Sequence, residues 1–285
     1  MGKGDLSLIV VTRNEERNLP RLLASIERNG VEPANVIVVD AASTDNTVKL
    51  AQAFGARIFF DRPNLSAQRN AGVRQATTKW VVMLDADMEL PAGLIDELVS
   101  LFEQGHQCVV LPEHSVAKGF LSRARGFERD LQHGDLTIEA ARAFTSELFW
   151  QCGGYNEEIG FGGEDWFLAK TMYDRTKPAR TTLVIQHYEP ESSALTILRR
   201  YFFYGRGRYR LFRANRAYFA ELTNPIRPST RRRWRSYVAD PVLTLGVVFY
   251  KLLTYGSGFA GFAAEAITER FKSKKLSTAA GDKTR

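Results

Sequence analysis

The first half of the chain alternates short apolar runs with segments whose apolar residues recur at helical spacing. The apolar, β-branched runs occupy residues 6–12, 35–41, 56–61, 80–87 and 107–114. After the first run, Leu19, Leu22 and Ile26 recur every three or four residues before Gly30, which predicts a helix. Because the runs are apolar at consecutive positions, we expect strands that are buried on both faces. This pattern predicts an α/β fold with a mainly parallel sheet and helices on both of its faces.

Candidate residues mark both the start and the end of the helix predicted after the second strand. Ser43 or Thr44 is a candidate N-cap, and Gly55 is the predicted end. In the second half, residues 119–134 are typical of an amphipathic helix, and a glycine-rich turn precedes a helix that begins near Glu164. Residues 179–190 alternate like a strand. We predict a main domain over residues 1–215, followed by a basic linker and an apolar helical region over 216–285.

Polar side chains follow three of the predicted strands where each strand ends. They are Thr12, Asn14 and Glu15 after the first, Asp40 after the second, and Asp85 with Asp87 after the fourth. In open parallel sheets, ligands bind beyond the carboxyl ends of the strands. The sequence therefore predicts a ligand site at this edge.

The two carboxylates of "DAD", Asp85 and Asp87, suggest a cation site. Two carboxylates beside a phosphorylated ligand need a cation to offset their mutual repulsion, and oxygen ligands suit Mg²⁺ or Mn²⁺. A D-x-D pattern alone is weak, because a solvated turn has the same composition. No glycine-rich phosphate loop of the G-x-G-x-x-G or G-x-x-x-x-G-K-[ST] type is present.

Positive charge is concentrated in one segment. The 285-residue chain carries +7, yet residues 195–235 hold twelve arginines and one acidic residue, so this segment carries +11 and the remainder −4. The segment could bind nucleic acid, form an ordinary amphipathic helix or lie on an anionic membrane.

The apolar stretch that follows favours the membrane. Residues 241–267 have about the length of a bilayer span, although Lys251 lies in the middle. We therefore predict a membrane-embedded or interfacial helical pair in preference to a single span. Basic residues flank both ends, which favours the cytoplasmic face. The chain shows no secretory leader, and Cys108 and Cys152 have the character of buried thiols in a reducing compartment.

Six motifs in order resemble those of the family 2 glycosyltransferases, which have the GT-A fold. The resemblance covers roughly residues 6–190 and rests on "VVTRNEERNLPRLLASI", "VIVVDAASTDNT", "LSAQRNAGVRQA", "WVVMLDADMELP", "FWQCGGYNEEIGFGGEDW" and "QHYEP". Many members read "DDGS" where this chain reads "DAAS", so a second carboxylate is missing at Ala41.

The resemblance implies a nucleotide site. Thr12, Asn14 and Glu15 would line it, and Asp40 would hydrogen-bond the base, usually uracil. Arg69 would contact the nucleotide or a phosphate; the alternative is a solvated helix residue.

The resemblance also implies a metal site between the donor phosphates and the sheet. Asp85 would contact the ribose or support the metal, and Asp87 would bind Mn²⁺ or Mg²⁺ bridging the two phosphates. His187 matches a further metal ligand; the alternative is a hydrogen-bonded surface histidine.

The "GEDW" turn holds a second pair of carboxylates. At a helix N-terminus, Glu164 and Asp165 would interact favourably with the helix dipole whatever their role. By the resemblance, Asp165 is the general base that deprotonates the acceptor hydroxyl, with Glu164 beside it. Trp166 would stack on a sugar or fill the core.

Together these patterns predict a metal-dependent, inverting glycosyltransferase at the cytoplasmic face of a membrane, attached peripherally or monotopically through its C-terminal region. The donor would be a nucleoside-diphosphate sugar, UDP- or GDP-linked, and the acceptor a lipid-linked or cell-surface glycan. Two alternatives stay open. A nucleotidyltransferase would release pyrophosphate. A nucleic-acid-binding protein would depend on the arginine-rich segment and be indifferent to changes at Asp87 or Asp165.

Overall fold

The computed structural model describes residues 2–189, 193–222 and 228–281. Pro190 of the "QHYEP" motif and residues 223–227 of the predicted basic linker lie outside them. The strands are β1 Leu6–Thr12, β2 Val36–Asp40, β3 Arg57–Phe60, β4 Trp80–Asp85, β5 Met88–Glu89, β6 Cys108–Val110, β7 Glu113–Ala117, β8 Ala141–Thr145, β9 Ala179–Arg180 and β10 Ile185–Glu189. The α-helices are α1 Leu19–Arg28, α2 Thr47–Phe54, α3 Leu65–Gln75, α4 Leu94–Glu103, α5 Phe120–Leu131, α6 Ser146–Gln151, α7 Glu164–Tyr173, α8 Ala194–Ala214, α9 Arg216–Leu222, α10 Pro228–Arg232, α11 Trp234–Ala239 and α12 Pro241–Gly281.

The main sheet is mixed but mostly parallel. Its seven strands run in the order β3-β2-β1-β4-β8-β6-β9, with β8 antiparallel to β4 and β6. Successive residues of β1 contribute to opposite core layers: Leu8 and Val10 pack with α1 and α4, whereas Ile9 packs with residues of α3 and α7. The prediction of an α/β fold with helices on both faces is confirmed.

Three predicted boundaries were wrong. The run 107–114 divides at Pro112, which has no N–H for a sheet ladder: β6 stays in the main sheet, whereas β7 joins a three-stranded sheet of order β5-β10-β7. Residues 179–190 likewise divide into β9 and β10 around a turn. Ser43 and Thr44 do not cap α2, which begins at Thr47 with Asn46 before it.

The C-terminal apolar stretch forms one continuous helix, α12, so the predicted helical pair within residues 241–267 is wrong. The part over Pro241–Phe271 is long and apolar enough to cross a membrane. It packs along α8 at very short range: a Cβ on Gly205 would overlap the carbonyl oxygen of Gly258, and one on Gly261 would overlap that of Phe202. The division at residue 215 stays a prediction, and α8 and α12 pack together across it.

Charged contacts also connect α12 to the rest of the protein. Lys251, in the middle of the apolar stretch, forms an ion pair with Glu128 of α5 at 2.5 Å. The buried Glu265 carboxylate accepts hydrogen bonds from Arg206 at 2.6 Å and from Arg210 at 2.8 Å. Part of the arginine-rich segment is therefore neutralised inside the fold.

Candidate active site

A cavity of about 690 Å³ lies at the carboxyl ends of the central strands. It brings together nine residues that the sequence singled out: Thr12, Glu15, Arg69, Asp85, Asp87, Glu164, Asp165, Trp166 and His187. Asn14 and Asp40 do not line it. Residues from several strand ends therefore line one cavity, and their roles in binding or catalysis stay predictions.

Asn14 and Asp40 connect the two loops behind the cavity. The Thr12 hydroxyl donates to the Asp40 carboxylate at 2.9 Å, and the backbone N–H and hydroxyl of Ser43 also donate to it. The side-chain oxygen of Asn14 accepts from the backbone N–H of Thr44 at 2.8 Å. These contacts explain why residues 41–46 form a loop, since Ser43 and Thr44 hydrogen-bond with Asn14 and Asp40 instead of capping α2. Asp40 is fully buried, and its predicted contact with a base stays a prediction.

Arg69, on α3, joins two carboxylates. Its guanidinium donates to Asp85 and to Glu164, both at 3.0 Å, and the residue is only 3% exposed. The alternative of a solvated helix residue is therefore wrong. Its Nε–H is buried without a partner in the described structure, and an unpaired buried donor favours binding of an acceptor group. The predicted contact with nucleotide or phosphate stays a prediction.

Arg142, on β8, is a site residue that the sequence did not reveal. It donates to the second oxygen of Asp85 at 3.0 Å and also binds Glu113 on β7. Although burial raises the pKa of Asp85, Arg142 and Arg69 together hold it well below its usual range. Asp85 is therefore an ionised carboxylate whose charge is already offset by two arginines. A charged residue between Ala141 and Ala143 in an otherwise apolar strand was the only local signal.

Asp87 and His187 face each other. Asp87 follows β4 in the turn to β5, and its carboxylate lies 3.2 Å from His187 Nε2 on β10. His187 Nδ1 lies 2.7 Å from the Glu113 carboxylate. Burial alone would lower the pKa of His187, but hydrogen bonds and the charges of Asp87 and Glu113 raise it to about 9. Asp87 and Glu113 thus favour a positive charge on the His187 side chain. The described residues form no cluster of three or more potential metal ligands.

Glu164 and Asp165 open helix α7. The side chain of Asp165 accepts a hydrogen bond from the Trp166 N–H at 2.8 Å, and Glu164 is buried beside Arg69. Burial, followed by the neighbouring Asp165 charge, raises the pKa of Glu164 to about 7 despite the opposing effect of Arg69. Trp166 is half-buried and lines the cavity. A carboxylate at the N-terminus of this helix lies where it can accept a proton from a ligand in the cavity.

Helix α8 supports the loop that carries these carboxylates. A Cβ on Gly207 would overlap the carbonyl oxygen of Phe161, and one on Gly162 would crowd the backbone of Tyr204. Since Phe161 and Gly162 lie just before Glu164, the position of the carboxylate pair depends on close packing against α8.

The raised pKa of Glu164 predicts a pH-dependent stability. Its pKa is about 7 in the folded protein, against 4.5 in a model peptide, so between these values the unfolded chain has lost a proton that the folded protein keeps. The free energy of unfolding therefore falls as pH rises from about 4.5 to about 7. Glu164→Gln cannot ionise, so its Tm minus that of wild type should rise across this range in calorimetry.

The exposed Glu147, in the first turn of α6, is the control for this prediction. Glu147→Gln should show no such rise in Tm relative to wild type across this range. A difference between Glu164→Gln and wild type that stays constant from about pH 4.5 to 7 would contradict the assigned ionisation.

Comparisons with known proteins identify the fold and the family. In solved structures, the chain resembles TarS 1-349 of S. aureus with a TM-score of 0.54 and 15% identity, covering 94% of this chain and 91% of that one. It also resembles the mannosyltransferase PcManGT of Pyrobaculum calidifontis, solved with GDP-Man and Mn²⁺, with a TM-score of 0.57 and 19% identity over 96% and 80% of the two chains. These likenesses establish the GT-A-like fold.

The glycosyl transferase family 2 model matches residues 7–155. Among curated proteins, an uncharacterized glycosyltransferase of Mycobacterium tuberculosis is 35% identical over 115 residues, which are 39% of this chain and 50% of the relative. One of Rickettsia typhi is 35% identical over 104 residues, 36% of this chain and 34% of the relative. The chain thus spans half or less of the length of these relatives. It belongs to glycosyl transferase family 2.

Proposed function

We propose that the protein is a metal-dependent, inverting glycosyltransferase using a nucleoside-diphosphate sugar. One observation carries this proposal: the strand-end carboxylate Asp87 and the helix carboxylate Asp165 line the same cavity. Its volume of about 690 Å³ suits a ligand of nucleotide-sugar size. The S. aureus TarS structures include a complex with UDP-GlcNAc, and the mannosyltransferase holds GDP-Man. These likenesses support a UDP- or GDP-linked donor.

Asp165 acts as the general base in this proposal. It takes the proton of the acceptor hydroxyl while that oxygen attacks the anomeric carbon, opposite the leaving nucleotide. A bond forms between the acceptor oxygen and the anomeric carbon, and the bond from that carbon to the phosphate oxygen breaks. The nucleoside diphosphate leaves with the bonding electrons. A single in-line displacement inverts the anomeric configuration.

Asp87 and His187 are the residues that would hold Mn²⁺ or Mg²⁺. They present a carboxylate oxygen and an imidazole nitrogen 3.2 Å apart in the cavity, and a cation would take the place of the proton that Asp87 and Glu113 stabilise on His187. The remaining ligands would be donor phosphate oxygens, since the described residues form no cluster of three or more potential metal ligands. When bound, the cation neutralises the diphosphate leaving group. Asp85 would instead orient the donor or support the metal through its arginine contacts.

Two observations weigh against the alternatives. A nucleotidyltransferase would have little use for a base at Asp165, which lines the cavity. A nucleic-acid-binding surface uses unpaired arginines, whereas Arg206 and Arg210 of the arginine-rich segment bind Glu265. We therefore propose no nucleic-acid partner.

A panel of nucleotide sugars tests the proposed function. We expect one UDP- or GDP-linked sugar to raise the Tm of the full-length protein in the presence of Mn²⁺ or Mg²⁺, because a ligand that binds only the folded state stabilises it. The same nucleotide sugar with excess chelator should have a much smaller effect. Absence of any cation-dependent shift across the panel would contradict the proposal.

The exposed face of α12 supports attachment to the cytoplasmic face of a membrane, with a lipid-linked or cell-surface glycan as acceptor. Leu245, Leu252 and Phe259 are each about 70% exposed and recur at helical spacing. Four arginines between residues 231 and 235 precede this helix, as expected for an interfacial helix on anionic lipids. We propose a peripheral or monotopic attachment through this region.

Charged substitutions on the apolar face test this attachment. The double variant Leu252→Glu/Phe259→Glu should no longer float with anionic vesicles, because two carboxylates would enter the lipid interface. Phe60→Glu is the control, since Phe60 is equally exposed on β3, far along the chain from α12. If the double variant floats with the vesicles to the same extent as the wild type and the Phe60→Glu control, the attachment surface lies elsewhere.

A further inference from the structure

The cavity extends beyond Asp165 into a second part between α5, α8 and α12. The wall supplied by the two long helices includes Arg200, Tyr201, Arg208, Tyr250 and Lys251. Among the described cavity-lining residues of α8 and α12, three are basic and none is acidic. The family 2 match ends at residue 155, so this wall belongs to the part of the chain that the family model does not describe.

Among the described residues, Arg208 has no carboxylate partner, unlike its neighbours on α8. Arg206 and Arg210 both bind Glu265, and Lys251 binds Glu128. Arg208 instead lies against the ring of Tyr201, at 6.0 Å from its centroid. Within the described structure its Nε–H is buried without a hydrogen-bond partner. A buried guanidinium N–H that lacks an acceptor is costly unless a ligand supplies one, and a phosphate matches the planar array of donors of an arginine.

The second part of the cavity opens at the apolar face of α12. Tyr255 lines the cavity and is 41% exposed. Leu252 and Phe259 lie three residues before and four residues after it, so all three share one face of the helix. An amphiphilic molecule could thus place an apolar chain along this face and its head group inside the cavity.

We propose that the α8–α12 wall is an acceptor subsite for a lipid that carries a phosphate, and that Arg208 binds this phosphate. The inference rests on the proposed function and specifies its acceptor as a phosphate-bearing amphiphile with a free hydroxyl. The phosphate anchors the acceptor, while the hydroxyl reaches Asp165, loses its proton to that carboxylate and attacks the donor sugar. The oxygen–sugar bond formed replaces the sugar–phosphate bond of the donor, and the nucleoside diphosphate is released.

Short-chain lipids below their micelle concentration test the subsite by calorimetric titration of the full-length protein. Dihexanoyl phosphatidylglycerol supplies phosphate, hydroxyls and apolar chains; octyl glucoside supplies hydroxyls and a chain without charge; inorganic phosphate supplies the anion alone. We expect wild type to bind phosphatidylglycerol at least about tenfold more tightly than either of the others, since a charge-assisted hydrogen bond and the apolar contact are both needed.

Arg208→Gln should weaken phosphatidylglycerol binding by about tenfold or more, and Arg208→Lys should recover part of it. Arg213→Gln is the matched control, because Arg213 is an exposed arginine on the same helix outside this cavity; it should bind as wild type does. Equal binding by Arg208→Gln and Arg213→Gln overturns the proposal. Equal binding of octyl glucoside and phosphatidylglycerol to wild type also overturns the proposal. This comparison needs only the wild-type protein, so it tests the proposal even if Arg208→Gln fails to fold. Equal binding of inorganic phosphate and the lipid would overturn the lipid assignment.

Donor binding separates this inference from the proposed function. If wild type is stabilised by a nucleotide sugar with Mn²⁺ but does not prefer the phospholipid, only the acceptor subsite fails. If no nucleotide sugar binds but the phospholipid binds through Arg208, the proposed transferase activity fails. The phosphate-binding role of Arg208 then stands.

Discussion

Replacing Asp165 with asparagine should abolish most sugar transfer while leaving the protein folded. Asparagine retains an oxygen that can accept the Trp166 N–H, the hydrogen bond seen at 2.8 Å, but it cannot accept a proton. Loss of a general base typically reduces the rate by about 10²–10⁴-fold, whereas loss of a charge from the first turn of a helix costs only about 0.3–1 kcal/mol of stability. Affinity for the nucleotide sugar should change little, because the base acts on the acceptor.

Asp96→Asn is the matched control for this variant. Asp96 is also an aspartate in the first turn of a helix, α4, but it is 65% exposed at its side chain, pairs with Lys3 and does not line the cavity. It should lose a comparable amount of stability with no loss of turnover. If Asp165→Asn retains more than about a tenth of the wild-type kcat, Asp165 is not the base, and Glu164→Gln becomes the next variant to assay.

Replacing Asp87 with asparagine should remove cation-dependent binding of the nucleotide sugar. A metal at a diphosphate leaving group contributes several kcal/mol to transition-state stabilisation, so we expect kcat to fall by about 100-fold or more. In calorimetric titrations, Mn²⁺ should increase nucleotide affinity in wild type and have little effect in the variant. Equal Mn²⁺-dependent affinity in the two proteins would contradict the assignment.

A double-mutant cycle extends this test to His187. If Asp87 and His187 hold the same cation, either Asp87→Asn or His187→Gln removes the metal effect, and the double variant should be hardly worse than either single variant. Additive losses would mean that the two residues act independently. Asp174→Asn, at the exposed end of α7, is the control for loss of a carboxylate outside the cavity.

Local patterns were sufficient to predict the part of the site that lies at the strand ends. β1, β2 and β4 are continuous apolar runs, and their polar termini must meet because parallel neighbours place their carboxyl ends at one edge. Asp87 and Glu15 were found this way. The role of Asp165 came from motif resemblance, because a carboxylate in the first turn of a helix has an adequate structural explanation without any chemistry.

The ion pairs that set the charge environment of these residues could not be predicted from the sequence, because they join distant parts of the chain. Arg142 meets Asp85 only because β8 inserts antiparallel beside β4, and β8 is five residues long in a region without clear periodicity. The same holds for Lys251: in the sequence it is a costly charge in an apolar stretch, whereas in the fold it faces Glu128 of α5. Pairing across such distances depends on the tertiary arrangement, so a charge in an apolar run can be noticed in the sequence but its partner cannot be identified there.

The central claim is that the carboxylates at the strand ends and at α7 catalyse transfer from a nucleoside-diphosphate sugar. Phosphorus NMR of the products formed from a stabilising nucleotide sugar, with Mn²⁺ and the acceptor lipid, tests it most directly. Wild type and Asp96→Asn should release nucleoside diphosphate, without pyrophosphate, and Asp87→Asn and Asp165→Asn should release almost none. Formation of pyrophosphate, or equal release of nucleoside diphosphate by all four proteins, would contradict the account.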